Sequence, residues 1–165
     1  MMNKNIFTAI FALSAVWVTA QSKNKVVNSA HPSLNYATIE CSELNQKLKE
    51  NEKPIIIFCG DVGNEKDKYT YSFQKIKGAL AIGSVNQASW KSNLQKVLAQ
   101  SKVNQSFNKE VIVYCGCCSS DNCPNVEPVI LELKRLGFKK VKGLYFSEGY
   151  LPEWHAKKYL EQPIN

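Results

Sequence analysis

The sequence predicts an α/β fold, with a mostly parallel central sheet and helices on both faces. Three observations carry that reading. Two continuous apolar runs, Ile55-Ile56-Ile57-Phe58-Cys59 and Val111-Ile112-Val113-Tyr114-Cys115, have the character of strands covered on both sides. Stretches with apolar residues at helical spacing alternate with such runs. Turn and capping signals separate the two kinds of segment, and alternation of this kind closes into a parallel sheet with helices above and below it.

Residues 1–20 carry one charge, Lys4, then an apolar run over 6–18 and a small-residue end at Val18-Thr19-Ala20. That is the layout of a secretory signal, with cleavage expected after Ala20. The run of 13 residues is shorter than the roughly 20 needed to cross a bilayer as a helix. Gln21 follows the expected cut and the first cysteine is Cys41, so no thiol stands there to take a lipid. The expectation is an exported protein, periplasmic or secreted, without stable membrane insertion after cleavage. Residues 21–35 are polar and aperiodic and read as a flexible lead-in to a single domain over 36–162.

Within that domain, Cys41 or Ser42 caps a short helix that places Leu44 and Leu48 on one face. Pro54 ends that segment, the strand 55–59 follows, and the polar stretch 60–72 is a loop. A second short strand is expected over 78–82. Trp90, Leu94, Val97 and Leu98 recur at helical spacing, predicting a helix over 87–100. Residues 104–109 lead into the strand 111–115. Asn125 is placed to cap the next helix, with Pro128 in its first turn, where a missing N–H costs nothing. Val126, Val129, Ile130, Leu133 and Leu136 form its core stripe, and Gly137-Phe138 is a stop with a hydrophobic clasp. A strand over 141–146 and a helix over 152–161 complete the domain, with Trp154 read as core packing rather than a substrate platform.

The 165 residues carry 21 basic and 14 acidic side chains, a net charge of +7. Loss of residues 1–20 removes Lys4 alone, leaving 20 against 14, or +6 over 145 residues. Arg135 is the sole arginine, and no dense basic and aromatic stripe occurs, so no nucleic-acid partner is expected. The lysines read as a solvated surface.

Four of the six cysteines fall between Cys115 and Cys123, in CGCCSSDNCPN (115–125). In a parallel α/β sheet, sites gather at the carboxyl ends of strands, which is where Cys115 and Cys59 fall. Cys59 reads as a small buried hydrophobe. Cys115 is followed by a loop that curls into a helix N-terminus, where successive N–H groups and the helix dipole stabilise an anion and lower a thiol's pKa. Gly116 lets the chain turn tightly beside the sulfur. The arrangement suits nucleophilic or sulfur-carrying chemistry at Cys115.

At these residues the chain resembles a known family. VIVYC (111–115), the helix closing with LGF (136–138) and VKGLYFSEGYLPEW (141–154) look like the active half of a rhodanese domain. IECSELNQKLKE (39–50) resembles that domain's opening strand and helix, and IKGALAI (76–82) is similar to its I-P-G-A segment. CGCCSSDNCPNVEP (115–128) resembles a bacterial exported subgroup with C-G-C-C, a spacer and C-P-N. The resemblance spans about 36–162 and implies the three-layer rhodanese-like fold. It also implies a sulfurtransferase in which Cys115 takes a sulfane sulfur from a small donor, holds it as a persulfide and passes it to a thiol or other thiophilic acceptor. Gly116, Cys117, Cys118, Ser119, Ser120, Asp121, Asn122 and Cys123 would then form the substrate-binding loop, its backbone amides stabilising the sulfur's charge. No resident cofactor is implied. The loop has nine residues between Cys115 and Asn125 and no basic side chain, and Arg135 stands twenty residues beyond Cys115. A C-x5-R phosphatase loop grips phosphate with its arginine, so phosphatase chemistry is not expected.

The remaining thiols leave other readings open. Cys117 or Cys118 could pair with Cys123 in an oxidising compartment, bracing the loop. Cys115, Cys117, Cys118 and Cys123 could instead hold a soft metal such as Zn²⁺ or Cu(I), making a non-catalytic metal-binding or redox-sensing module. Thiol–disulfide exchange between Cys115 and Cys117 or Cys118 is a further option, although a redox C-x-x-C normally opens a helix directly. Cys41, His31 and His155 read as structural or surface residues.

Overall fold

Alternate residues of the apolar run 55–59 leave opposite faces of one sheet, and both faces are covered. Ile55, Ile57 and Cys59 share a core with Leu94, Leu98, Val129 and Leu133. Ile56 and Phe58 share the opposite core with Leu44, Phe146 and Trp154. The computed structural model describes residues 31–60, 74–101 and 107–163. In chain order these form β1 (Thr38–Glu40), α1 (Cys41–Lys49), β2 (Ile55–Phe58), β3 (Gln74–Ile76), β4 (Leu80–Ala81), α2 (Trp90–Gln100), β5 (Glu110–Tyr114), α3 (Val126–Arg135), β6 (Lys140–Tyr145) and β7 (Glu161–Pro163). The leader expected over 1–20, the lead-in through residue 30 and the polar loop from residue 61 lie outside the described residues.

The main sheet has the order β1-β6-β5-β2-β4, and every pairing in it is parallel. α2 and α3 cover one face and α1 covers the other, together with the chain around Trp154. The molecule is therefore the three-layer α/β arrangement with a parallel central sheet that the sequence predicts. β2 and β5, the most apolar strands, lie side by side with Phe58 opposite Tyr114. That register brings the ends of two strands, Cys59 and Cys115, next to each other on the face shared with α2 and α3. Among the described residues, no helix is long and apolar enough to cross a membrane.

Several boundaries differ from the sequence-based expectation. α1 begins at Cys41 itself, with Glu40 in the capping position and no side-chain cap, so neither Cys41 nor Ser42 caps it. α2 starts at Trp90, three residues later than expected, because residues 84–90 are taken up by tight turns, with the Gln87 N–H bonded to the Ser84 carbonyl and the Trp90 N–H to the Gln87 carbonyl. α3 ends as expected. Gly137 has φ +101°, its N–H bonds the Lys134 carbonyl, and the buried Phe138 returns its N–H to Leu133.

The helix expected over 152–161 is instead one wide turn, Leu151–His155, closed by the Ala156 N–H on the Leu151 carbonyl. Lys158, at φ +53°, turns the chain away from helix. The segment then pairs as β7 with β3 in an antiparallel ribbon, an element that sequence patterning did not reveal. Trp154 is fully buried, with its Nε1 donating to the Leu160 carbonyl, consistent with its reading as core. At the other end, His31 stacks on Tyr145 with ring centroids 4.3 Å apart, and the Ser33 hydroxyl donates to Asp121. Residues assigned to the lead-in thus rest on the loop that follows β5.

Candidate functional site

β5 runs out at Tyr114, whose carbonyl accepts both the Cys59 N–H at 2.9 Å and the Cys59 thiol at 3.3 Å. The next residue, Cys115, is 4% exposed and faces the α2/α3 side of the sheet. Gly116 turns the chain at φ +86°, and a Cβ there would lie 3.0 Å from Tyr150 Cβ. A glycine is required for both reasons. Just past the end of β2, a Cβ on Gly60 would stand 2.8 Å from the Cys115 carbonyl, so the chain there approaches the site closely only because residue 60 has no side chain.

Beyond Gly116 the loop is tied down by its own polar residues. Ser120 is buried, donates its hydroxyl to the Leu144 carbonyl at 3.2 Å and accepts the Phe146 N–H at 2.9 Å. Its own N–H bonds the Phe146 carbonyl at 2.8 Å. Asp121 accepts from Ser33 and, at 3.5 Å, from the Tyr145 hydroxyl, while Asn122 Nδ2 donates to the Ser119 hydroxyl at 2.9 Å. Of the residues grouped by sequence as a substrate loop, Ser120 and Asp121 therefore fasten it to the end of β6 and to the N-terminal segment, while Ser119 and Asn122 brace it internally.

The cysteines behave differently. Cys115 Sγ lies 3.1 Å from Cys117 Sγ, and Cys115, Cys117 and Cys123 place their sulfurs within 4.8 Å of one another. Cys118 Sγ is 3.3 Å from Cys117 Sγ but stands outside that triangle. All six cysteines are free thiols, and the Cys117–Cys123 or Cys118–Cys123 bridge is not formed.

Asn125 completes the site. It sits at the N-cap position of α3 but makes no cap bond, contrary to the role expected from sequence. Its Nδ2 donates to Cys115 Sγ at 3.3 Å, and its Oδ1 accepts the hydroxyl of buried Ser84 at 3.2 Å. The Asn86 N–H bonds Ser84 Oγ in turn, at 3.3 Å. A chain of donors thus runs from the turn before α2 to the sulfur, buried at Ser84 and Asn125. Sequence reasoning missed Ser84 altogether, and it named Asn125 for a different task.

The thiol of Cys115 is driven strongly toward its anion by hydrogen bonds from Cys117 and Cys123 and by the Asn125 amide, against the opposing effect of burial. Its neighbours move the other way. Hydrogen bonding to Cys115 keeps Cys117 and Cys123 protonated, and burial above all does the same for Cys59. The direction of these shifts favours the anion on Cys115, with its neighbours as donors. The sequence argument assigned this stabilisation to backbone amides of residues 116–123. The bonds at Cys115 Sγ come from side chains instead, and the N–H groups of Ser120, Asn122 and Cys123 are spent on carbonyls of Phe146, Ser119 and Ser120.

Neither a scan against protein-family models nor a search of curated proteins returns a match. The chemistry of the site therefore rests on its geometry. Cys41 stays apart, buried and donating to the Tyr145 carbonyl at 3.3 Å, with its pKa pushed up to about 12 by burial and by nearby Glu153 and Glu40. Arg135 is held by Glu132 through contacts of 2.6 and 2.9 Å at the far end of α3. His155 pairs with Glu161 at 3.0 Å.

Proposed function

We propose that the protein is a rhodanese-type sulfurtransferase that carries sulfane sulfur on Cys115. The observation that supports it is the geometry at the carboxyl end of β5, where the Asn125 amide donates to Cys115 Sγ at 3.3 Å and the sulfurs of Cys117 and Cys123 close around it within 4.8 Å, a setting that lowers the Cys115 pKa. A thiolate is the form of cysteine that attacks sulfur, and a lowered pKa keeps it available at neutral pH.

Cys115 Sγ attacks the outer sulfur of the donor, and the donor's sulfur bond breaks with its electron pair leaving on the remainder of the donor. Cys115 then holds a persulfide, whose anion accepts the same Asn125 and thiol hydrogen bonds. An incoming thiolate attacks the outer sulfur, the sulfur–sulfur bond breaks, and its electrons return to Cys115. No net oxidation occurs, and no cofactor is needed. No lysine or arginine occurs between residues 115 and 125, so nothing in the loop grips a dianion. The donor that fits best is a small persulfide of low charge, with a free thiol as acceptor.

The test is peptide-mapped mass spectrometry of the reduced protein after exposure to an organic persulfide. The expected product is one added sulfur on Cys115, removed again by a thiol acceptor. An adduct confined to Cys117 or Cys118, or no adduct at all, would contradict the proposal.

A further inference from the structure

The geometry points to a second use of the same corner of the fold: we infer that Cys115, Cys117 and Cys123 form a three-thiolate site for copper(I), with Cys117 and Cys123 releasing their protons to solvent as the ion binds. The three sulfurs lie within 4.8 Å of one another, and the closest pair is 3.1 Å apart. A trigonal centre with metal–sulfur bonds of about 2.3 Å has sulfurs separated by about 4 Å, so the Cys115–Cys117 side opens by about 1 Å, while the other two sides already lie within 4.8 Å. Cys117, the residue that would move, is exposed, while Cys115 beneath it is buried. An ion enters from the Cys117 side and ends against the sheet.

The donor set selects the ion. Among the described residues, the one group of metal-ligating side chains that converges is this sulfur triad, with no histidine or carboxylate in it. Thiolate-only sites suit soft ions. Structural zinc sites fill four positions of a tetrahedron, and Cys118, the nearest further loop thiol, lies outside the triangle. Cys59, the other thiol close to Cys115, is turned to the Tyr114 carbonyl at 3.3 Å, and three mutually converging soft ligands match monovalent copper better than divalent zinc.

The frame is fixed before the ion arrives. Ser120 ties the loop to β6, and Asn125, bonded to Ser84, closes its far end, so little ordering accompanies binding. Copper on Cys115 withdraws the sulfur that the sulfurtransferase reading uses, so metal and persulfide exclude each other on one chain. The copper site itself requires no catalytic activity.

Anaerobic titration of the reduced full-length protein with copper(I) bicinchoninate tests this. One copper per chain is expected to leave the chelator, with a thiolate-to-copper charge-transfer band in the ultraviolet. Cys123→Ser is expected to weaken binding by at least about tenfold, the loss of a ligand costing no less than the loss of an outer-shell partner. Cys118→Ser should bind as the parent does. Equal losses in the two variants, or no transfer from bicinchoninate, would overturn the site. Copper X-ray absorption on the unmutated protein gives an answer independent of how the variants fold, with three sulfur neighbours expected and two or four contradicting it. A protein that binds copper this way but forms no persulfide would remove the sulfurtransferase reading and leave this site standing, and the converse result would do the opposite.

Discussion

The Asn125 carboxamide donates through Nδ2 to Cys115 Sγ at 3.3 Å, while its Oδ1 is held by the Ser84 hydroxyl at 3.2 Å. With its oxygen turned to the hydroxyl, the amide presents its N–H to the sulfur, and the anion gains a donor in a buried setting. Asn125→Ala removes one hydrogen bond to a charged group, an interaction of about 1.5–3 kcal/mol, so the Cys115 pKa should rise by about one to two units. Ultraviolet thiolate absorbance followed against pH measures the shift. Asn125→Asp places a carboxylate beside the sulfur and should raise it further.

Ser84→Ala leaves the amide in place but releases its Oδ1. A rise in the Cys115 pKa smaller than that of Asn125→Ala is expected, with a stability loss of about 1 kcal/mol from the broken bond. Combining the two substitutions in a double-mutant cycle should give less than the sum, because Ser84 acts on the sulfur only through Asn125. Full additivity would show that the two residues act separately.

Much of this architecture was legible in the sequence, and the exceptions share a physical cause. β2 and β5 are buried on both faces, so their apolar runs carry an unambiguous signal. α3 was readable at its end because Gly137 and Phe138 form a local stop motif. β3 and β7 were not, since Gln74-Lys75-Ile76 has no periodicity of its own and becomes a strand only by pairing with residues 161–163, far along the chain. In place of the helix expected over 152–161, Trp154 and Tyr159 meet edge to edge, with ring centroids 5.2 Å apart, across a turn. At the site, the cysteine cluster was visible, whereas the choice of Cys115, Cys117 and Cys123 over Cys118 depends on loop geometry. The same holds for Asn125, where a residue type suited to capping turns its side chain inward instead.

Gly116→Ala should be costly on two counts. An alanine at φ +86° is strained by about 1–3 kcal/mol, and its methyl would press on Tyr150 Cβ. A lowered melting temperature is expected, accompanied by a raised Cys115 pKa as Cys117 loses its position. A variant as stable as the parent would show that the loop adapts more freely than its contacts indicate.

Stability should also fall in alkali. The Cys41 pKa is pushed up to about 12 in the fold, chiefly by burial, whereas in the unfolded chain the thiol titrates near about 8.5. Between those values the unfolded chain has lost a proton that the fold retains, so unfolding is favoured as pH rises. The linked stability is complete below the unfolded value and is lost progressively toward pH 12. Melting temperatures measured from pH 8 to 11 should decline, and Cys41→Ala should decline less steeply.

Trp154→Ala deletes the largest fully buried side chain and should destabilise the protein by about 3–5 kcal/mol in urea titration. The ribbon formed by β3 and β7 should loosen first, because Leu160, which receives the indole N–H, directly precedes β7. Hydrogen exchange at residues 74–76 and 161–162 would report it.

The most direct test of the account is the pH dependence of alkylation at Cys115, followed by mass spectrometry of the peptide that carries it. A half-maximal rate well below the roughly pH 8.5 of a free thiol is expected, with Cys117 and Cys123 reacting only at higher pH. A Cys115 profile at or above that value would mean that the side chains around the sulfur do not hold an anion, and the sulfur-carrying role would fall with it.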